Sequence, residues 1–308
     1  MNNTNKYSFL LVAALLITGL LSSCLKEDLS DCPRPFQVTI KALDADLNDI
    51  TEDGAVQQVI LFVFNEHGQI VSAFERTADQ VKNRTPIDIK LDYPGHKSLK
   101  FAAWGNLDEK VDFSQISTVK QLTDLYVKLK SQSTTLATAT VAQSPGDLFF
   151  GNLEVPVEYG GIEPGRSHVI EITRKTAAVT ITTINLKQWN NSKEGTYSYL
   201  VRESLDGYDK DGILTGNSVS YLPTATFNDK GNFVAPIFRT FPTEPGKSFV
   251  VDILYNGEVI FTADKDSDGN PFVPEVGRTL NIIIVLTSKL QIISAVTPWN
   301  VVYQYVEI

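Results

Sequence analysis

The densest set of oxygen ligands in this chain is Asp264-Lys265-Asp266-Ser267-Asp268-Gly269-Asn270, with Glu275 at the twelfth position of the run. Oxygens at alternate positions, a glycine at the sixth for a sharp bend and a closing glutamate satisfy the calcium-loop pattern. The flanks point elsewhere. Strands border the loop where helices should, and Pro271 and Pro274 stiffen its second half. Asp, Ser, Gly and Asn are also what a plain hairpin turn selects. A structural turn is the favoured reading, and calcium held by Asp264, Asp266, Asp268, Asn270 and Glu275 is the alternative.

Hydrolytic chemistry needs a nucleophile beside a base, usually histidine. The histidines are His67, in a tight turn, His96, after Pro94-Gly95, and His168, on an expected strand, and no GxSxG, HExxH or CxxC accompanies them. Carboxylate pairs for glycoside hydrolysis depend on a separation that only the fold sets. Trp104, Trp189 and Trp299 are candidates for a sugar platform, but Trp104 closes the apolar run Phe101-Ala102-Ala103-Trp104 and is assigned to the core. No enzymatic activity is expected.

A different chemistry is written at Cys24. Lys6 gives a basic start and Phe9 to Leu21 an apolar run, followed by Leu21-Ser22-Ser23-Cys24. The run is shorter than the roughly 20 apolar residues that span a bilayer and has the form of an export signal. Small residues directly before a cysteine make a lipobox, so residues 1–23 are assigned to a lipoprotein signal peptide and 24–35 to an acylated tether. Several acyl chains, at about 0.8 kcal/mol per buried methylene, make a stable anchor where one is marginal. Lys26-Glu27-Asp28 resembles the lysine-plus-acidic signal that sorts such lipoproteins to the outer face of the outer membrane. No cofactor beyond this lipid is expected.

About 285 residues remain, enough for two ordinary domains. A net charge of −9 argues against nucleic acid as a partner. Acylation of Cys24 leaves Cys32 without a partner, so stability must come from packing rather than disulfides. Alternating or β-branched runs recur at Phe36–Ala42, Gln57–Asn65, Pro86–Asp92 and Ser98–Trp104, and again from Ala177 onward, with Asn256-Gly257 as a hairpin turn. Crossover helices are missing, which predicts antiparallel sandwiches. Ser117–Leu129 is the exception: Val119, Leu122, Leu125, Tyr126 and Leu129 share a helical face, predicting a helix over the first sheet. Gly165-Arg166 and Gly277-Arg278 each follow a proline-containing turn and open an alternating strand, an internal echo that predicts two related domains at 36–174 and 175–308.

The stretch Cys24-Leu25-Lys26-Glu27-Asp28-Leu29-Ser30-Asp31-Cys32-Pro33 resembles the start of mature FimB-like fimbrial anchor lipoproteins of type V pili in Bacteroides-like bacteria. Looser likeness continues through Ala103-Trp104-Gly105-Asn106, Leu148-Phe149-Phe150-Gly151, Arg174-Lys175-Thr176-Ala177-Ala178-Val179 and Val296-Thr297-Pro298-Trp299. The resemblance implies an all-β chain of two tandem transthyretin-like sandwiches and a non-catalytic subunit that attaches a fimbrial polymer to the outer membrane, limits its length and supports adhesion. It implies a palmitoylated Cys24, a stalk subunit joined by strand addition, and Arg34 left uncut so that the first strand stays in place. The terminal segment Val301–Ile308, with Val302, Gln304, Val306 and Ile308 on one face, is the candidate donor strand. The alternatives are a surface glycan-binding lipoprotein and a divergent stalk or tip subunit.

Overall fold

The computed structural model describes residues 29–91, 95–133, 140–161 and 163–303. In chain order the strands are β1 (Phe36–Leu43), β2 (Gln58–Asn65), β3 (Ile70–Thr77), β4 (Ile87–Ile89), β5 (Ser98–Gly105), β6 (Val111–Phe113), β7 (Val127–Leu129), β8 (Val141–Ala142), β9 (Phe149–Pro156) and β10 (His168–Arg174). The second half adds β11 (Ala177–Ile184), β12 (Tyr197–Tyr208), β13 (Leu214–Tyr221), β14 (Thr226–Phe227), β15 (Phe233–Thr240), β16 (Val250–Tyr255), β17 (Glu258–Ala263), β18 (Arg278–Leu286) and β19 (Leu290–Pro298). The fold is all-β, as the strand-like patterning predicts.

The first half forms a seven-stranded sheet in the order β3-β2-β5-β9-β10-β1-β4. Period-two patterning drives it: Phe36, Val38, Ile40 and Ala42 of β1 bury one face, together with Val59, Leu61 and Val63 of β2 and Leu99, Phe101 and Ala103 of β5. β9 meets β10 only where Phe149 and Phe150 oppose Arg174 and Thr173. This short pairing is a corner, and the sheet folds across it into two layers around one core. Gly151 sits at the corner because a Cβ there would lie 2.0 Å from the Glu171 carbonyl oxygen.

β2 and β5 are apolar on both faces. Phe62, Phe64, Ala102 and Trp104 point away from the first core into a second one, shared with Leu107, Val111, Val119, Leu125, Val127 and Leu129 and with the second half of the chain. The helix expected over 117–129 does not form. Its place is taken by a single 3-10 turn, Leu122–Asp124, and by β7. The Asp124 carboxylate accepts from the amides of Lys120 and Gln121, both at 2.8 Å. Main-chain groups that a helix would use internally go instead to the β2–β3 turn, with Ile70 N donating to Lys120 O and Leu122 N to Gly68 O. Beyond the turn, Leu125, Val127 and Leu129 are buried while Tyr126 and Lys128 are exposed, which is strand alternation. The helical face seen in the sequence is therefore a coincidence of two shorter patterns.

The second half stacks the sheet β14-β15-β11-β18-β19 on the sheet β17-β16-β12-β13-β8. Tyr199, Tyr221, Phe233, Phe241, Phe249 and Phe272 fill the space between them. The two Gly-Arg strands are topologically equivalent: β10 runs parallel to β1, and β18 runs parallel to β11. The halves are nonetheless interleaved. β7 pairs with β12 and β8 with β13, so a segment preceding residue 174 completes a sheet of the second half.

Candidate functional site

Three places on this scaffold bear on the sequence expectations: the root of the expected tether, the end of the chain, and the junction between the halves. Cys24, Lys26, Glu27 and Asp28 lie outside the described residues, as do Gln304, Val306 and Ile308. The root itself is ordered by main-chain bonds. Arg34 N donates to Glu158 O (2.8 Å), Gly160 N to Cys32 O (3.1 Å) and Gly165 N to Pro35 O (2.7 Å). The Arg34 guanidinium donates to Gly160 O at 3.2 Å. Cys32 is a half-buried free thiol. β1 follows directly and is paired on both edges, with β10 and β4.

All three histidines sit at this end of the first sheet. His67 and His96 each approach the Glu66 carboxylate at 3.7 Å, and the His168 ring packs edge-on against Phe36. None faces a serine or cysteine nucleophile among the contacts described. The tryptophans are scattered rather than aligned: Trp104 is in the core, Trp189 packs against Phe261, and Trp299 lies at the junction. Among the described residues no helix is long and apolar enough to cross a membrane.

The calcium-type run forms a turn held by its own aspartate. Asp266 Oδ1 accepts from the amides of Asp268 (3.0 Å) and Asn270 (2.8 Å), and Oδ2 from Asn270 Nδ2 (3.0 Å) and Ser294 Oγ (2.8 Å). Burial opposes ionisation of Asp266, yet these bonds outweigh it and hold the carboxyl below its usual range. Asp264, Asp268, Asn270 and Glu275 are exposed, and among the described residues no three His, Cys, Asp or Glu side chains gather as a metal site. In this arrangement both carboxylate oxygens of Asp266 are used by the turn.

This turn covers part of β19. Ser267 N donates to Ile292 O (2.9 Å), and Ile292 N donates to Ser267 Oγ (2.8 Å). Farther along, β19 presents an edge that no other strand of the described residues pairs in its sheet. After Pro298 the chain turns back across the start of β18: Asn300 N donates to Thr279 Oγ1 (2.9 Å) and Tyr303 N to the buried Asn281 Oδ1 (2.8 Å). Val301, Val302 and Tyr303 are exposed and outside any strand, so the described part of the expected donor segment is held by side chains rather than by a ladder.

At the junction, Arg174 Nε donates to both oxygens of Asp147 at 3.0 Å; the Arg174 side chain is buried and that of Asp147 is partly buried. Desolvation raises the Asp147 pKa although Arg174 favours its charged form. The Arg174 guanidinium carbon lies 4.7 Å from the Trp299 ring centre, and that of Arg239 lies 5.5 Å away. A cleft of about 530 Å³ opens here, with Gln57, Gln58, Asp108 and Asn300 on its walls. Sequence reasoning named Trp299 and Arg174 in separate segments of likeness and did not join them. Arg174, Asp147 and Arg239 come from separate strands and loops, and no local pattern links them.

The sequence profile of the fimbrillin-A associated anchor proteins Mfa1 and Mfa2 matches residues 29–305. The chain is 40% identical over 313 positions to the major fimbrium anchoring subunit FimB of Porphyromonas gingivalis strain W83, with both chains covered in full. The same identity and coverage are found with FimB of P. gingivalis strain ATCC 33277. Among solved structures it is similar to the fimbrial anchor protein Mfa2 from P. gingivalis, with a TM-score of 0.61 and 16% identity over 87% of this chain and 98% of that one. A profile that runs from the tether root to the C-terminal turn, together with full-length relatives, means that the chain belongs to the family of fimbrillin-A associated anchor proteins.

Proposed function

We propose that this protein is the non-catalytic, lipid-anchored base subunit of a surface fimbria, joining the polymer to the outer membrane, limiting its length and supporting adhesion. The observation that carries the reading is the full-length 40% identity to an anchoring subunit of a fimbrium. Its supports in the chain are the lipobox at Cys24, the sorting-type residues Lys26, Glu27 and Asp28, and a first strand already paired on both edges. A chain whose β1 is in place has no vacancy at that position for a neighbour's strand. It meets the stalk subunit by strand addition through its other end, where main-chain hydrogen bonds and alternate side chains of Val302, Gln304, Val306 and Ile308 serve as the donor. Arg34 stays uncut, consistent with its main chain and guanidinium both being tied to the 158–160 loop.

The test is intact mass and N-terminal mapping of the protein purified from its native outer membrane. An acyl adduct on Cys24 with Arg34 uncut is expected. A lipid-free chain beginning after Arg34 would overturn the anchor role. Deleting residues 303–308 should release the stalk without unfolding the subunit, and retention of the stalk would refute donation by this segment.

A further inference from the structure

The first strand joins two ends of the molecule. At its start, Arg34 and Pro35 are bonded to the 158–165 loop, and Phe36 meets His168. At its finish, Leu43 runs into a loop that reaches the second half. There a Cβ added to Gly277 would come within 3.0 Å of the Ala45 Cβ, and Asp46 pairs with Arg278. β1 therefore lies along the line from the root to the second half. Its neighbour β10 is parallel to it, in register from Val38–His168 to Leu43–Thr173, and leads at Arg174 directly into β11.

Load applied between the root and the second half pulls β1 by its N-terminal end and β10 by its C-terminal end. Parallel strands pulled this way slide past each other in shear, and the ladder between them is strained all at once instead of bond by bond. The core opposes the slide as well. A slip of one residue would exchange the buried set Phe36, Val38, Ile40 and Ala42 for Gln37, Thr39 and Lys41. Lys41 Nζ also holds Glu171 Oε1 across the pair at 3.1 Å, between positions 130 apart in sequence. The chain between them is a loop that bears no tension while the pair holds. The second half repeats the arrangement: β11 is entered at its N-terminal end, and β18, parallel to it from Ala178–Thr279 to Ile184–Val285, ends on the side away from the junction.

We propose that the β1–β10 pair is a mechanical clamp that carries tension from the root to the second half in shear and shields residues 44–173 from it. Its use in the cell rests on the lipid-anchored reading, whereas the clamp itself is a property of the folded chain.

Single-molecule pulling of the mature chain tests it, with Cys24→Ser to prevent acylation and Cys32→Ser to remove a competing thiol. One handle is fixed to the N-terminus. The second is attached through Ser288→Cys, beyond the end of β18, or through Ser167→Cys, at the start of β10, both at exposed positions. From residue 288 the clamp is sheared, and from residue 167 the same two strands are peeled apart from the root. The sheared form should open at roughly twice the force of the peeled form or more, since forced opening follows the unfolding barrier in the direction pulled. If Cys32→Ser does not fold, peptide tags inserted at the same two positions give the comparison with Cys32 intact. Equal forces in the two geometries, or a weaker sheared form, overturn the clamp. A native protein found without lipid would remove the load in the cell and leave this force ratio unchanged, so the two readings fail separately.

Discussion

Asp147 and Arg174 are buried together, with side chains 14% and 7% exposed, and the Arg174 guanidinium also lies against Phe149. Removing one partner leaves the other charge uncompensated, so Asp147→Ala should destabilise the protein by about 3–5 kcal/mol, read by denaturant unfolding. Asp49 illustrates the opposite electrostatic case. The hydroxyl and amide of Thr51, then Arg84, hold its carboxyl down at about 2. A depressed folded-state pKa contributes stability above the ordinary carboxylate value, near 3.9, and loses it as pH falls toward the folded value. Carbon-detected NMR should show Asp49 titrating at about 2, and Asp49→Asn should flatten the loss of stability between about pH 4 and 2. Burial raises the Asp147 carboxyl instead. Its ionisation therefore costs stability as pH rises through the interval above its ordinary value, which opposes the Asp49 trend.

The strands show which patterns a sequence exposes and which it hides. β1 and β10 are legible because one face is buried and period two is enough to see it, whereas β18 is buried on both faces and is legible as a continuous apolar, β-branched run. Residues 117–129 mislead because Val119, Leu125 and Leu129 on the apparent helical face are buried through long-range contacts of this segment with the β2–β3 turn, β6 and β12, while Tyr126 on the same face is exposed. Long-range ladders override local periodicity there, and nothing within thirteen residues announces them. The calcium-type run is another local pattern with two readings, and the bonds of Asp266 to Ser294 on β19 favour the turn. Millimolar calcium should accordingly leave the thermal midpoint unchanged, whereas Asp266→Ala should lower it by freeing the loop from β19. A stabilising shift with calcium would refute the turn assignment. At the β9–β10 corner the constraint is backbone to backbone: Gly151→Val must push β9 off Glu171, and a loss of about 3 kcal/mol is expected. Wild-type stability in that variant would mean the corner is not tight.

Across the whole molecule, the partition at residue 174 is a division of topology rather than of stability. The larger core runs without interruption from Phe62, Phe64 and Trp104 of the first half to Tyr199, Phe233 and Phe249 of the second. β6 to β8, encoded before the boundary, belong to the sheet that contains β12 and β13. Lys175 N donates to Leu148 O (2.8 Å), Trp104 packs on Tyr208, and Trp299 carries both Arg174 and Arg239. Two independent sandwiches would unfold in two steps. Halves that share a core and exchange strands should unfold as one, with calorimetric and van't Hoff enthalpies agreeing. Residues 175–308 expressed alone lack β6–β8 and would expose Tyr208 and Tyr221, so that fragment should not show the near-ultraviolet signal of packed aromatics. Two resolved calorimetric transitions, or a cooperatively folded fragment, would show that the junction is a mere linker. For a fimbrial anchor subunit, a single cooperative unit also means that a pulling force has no weak joint to open first.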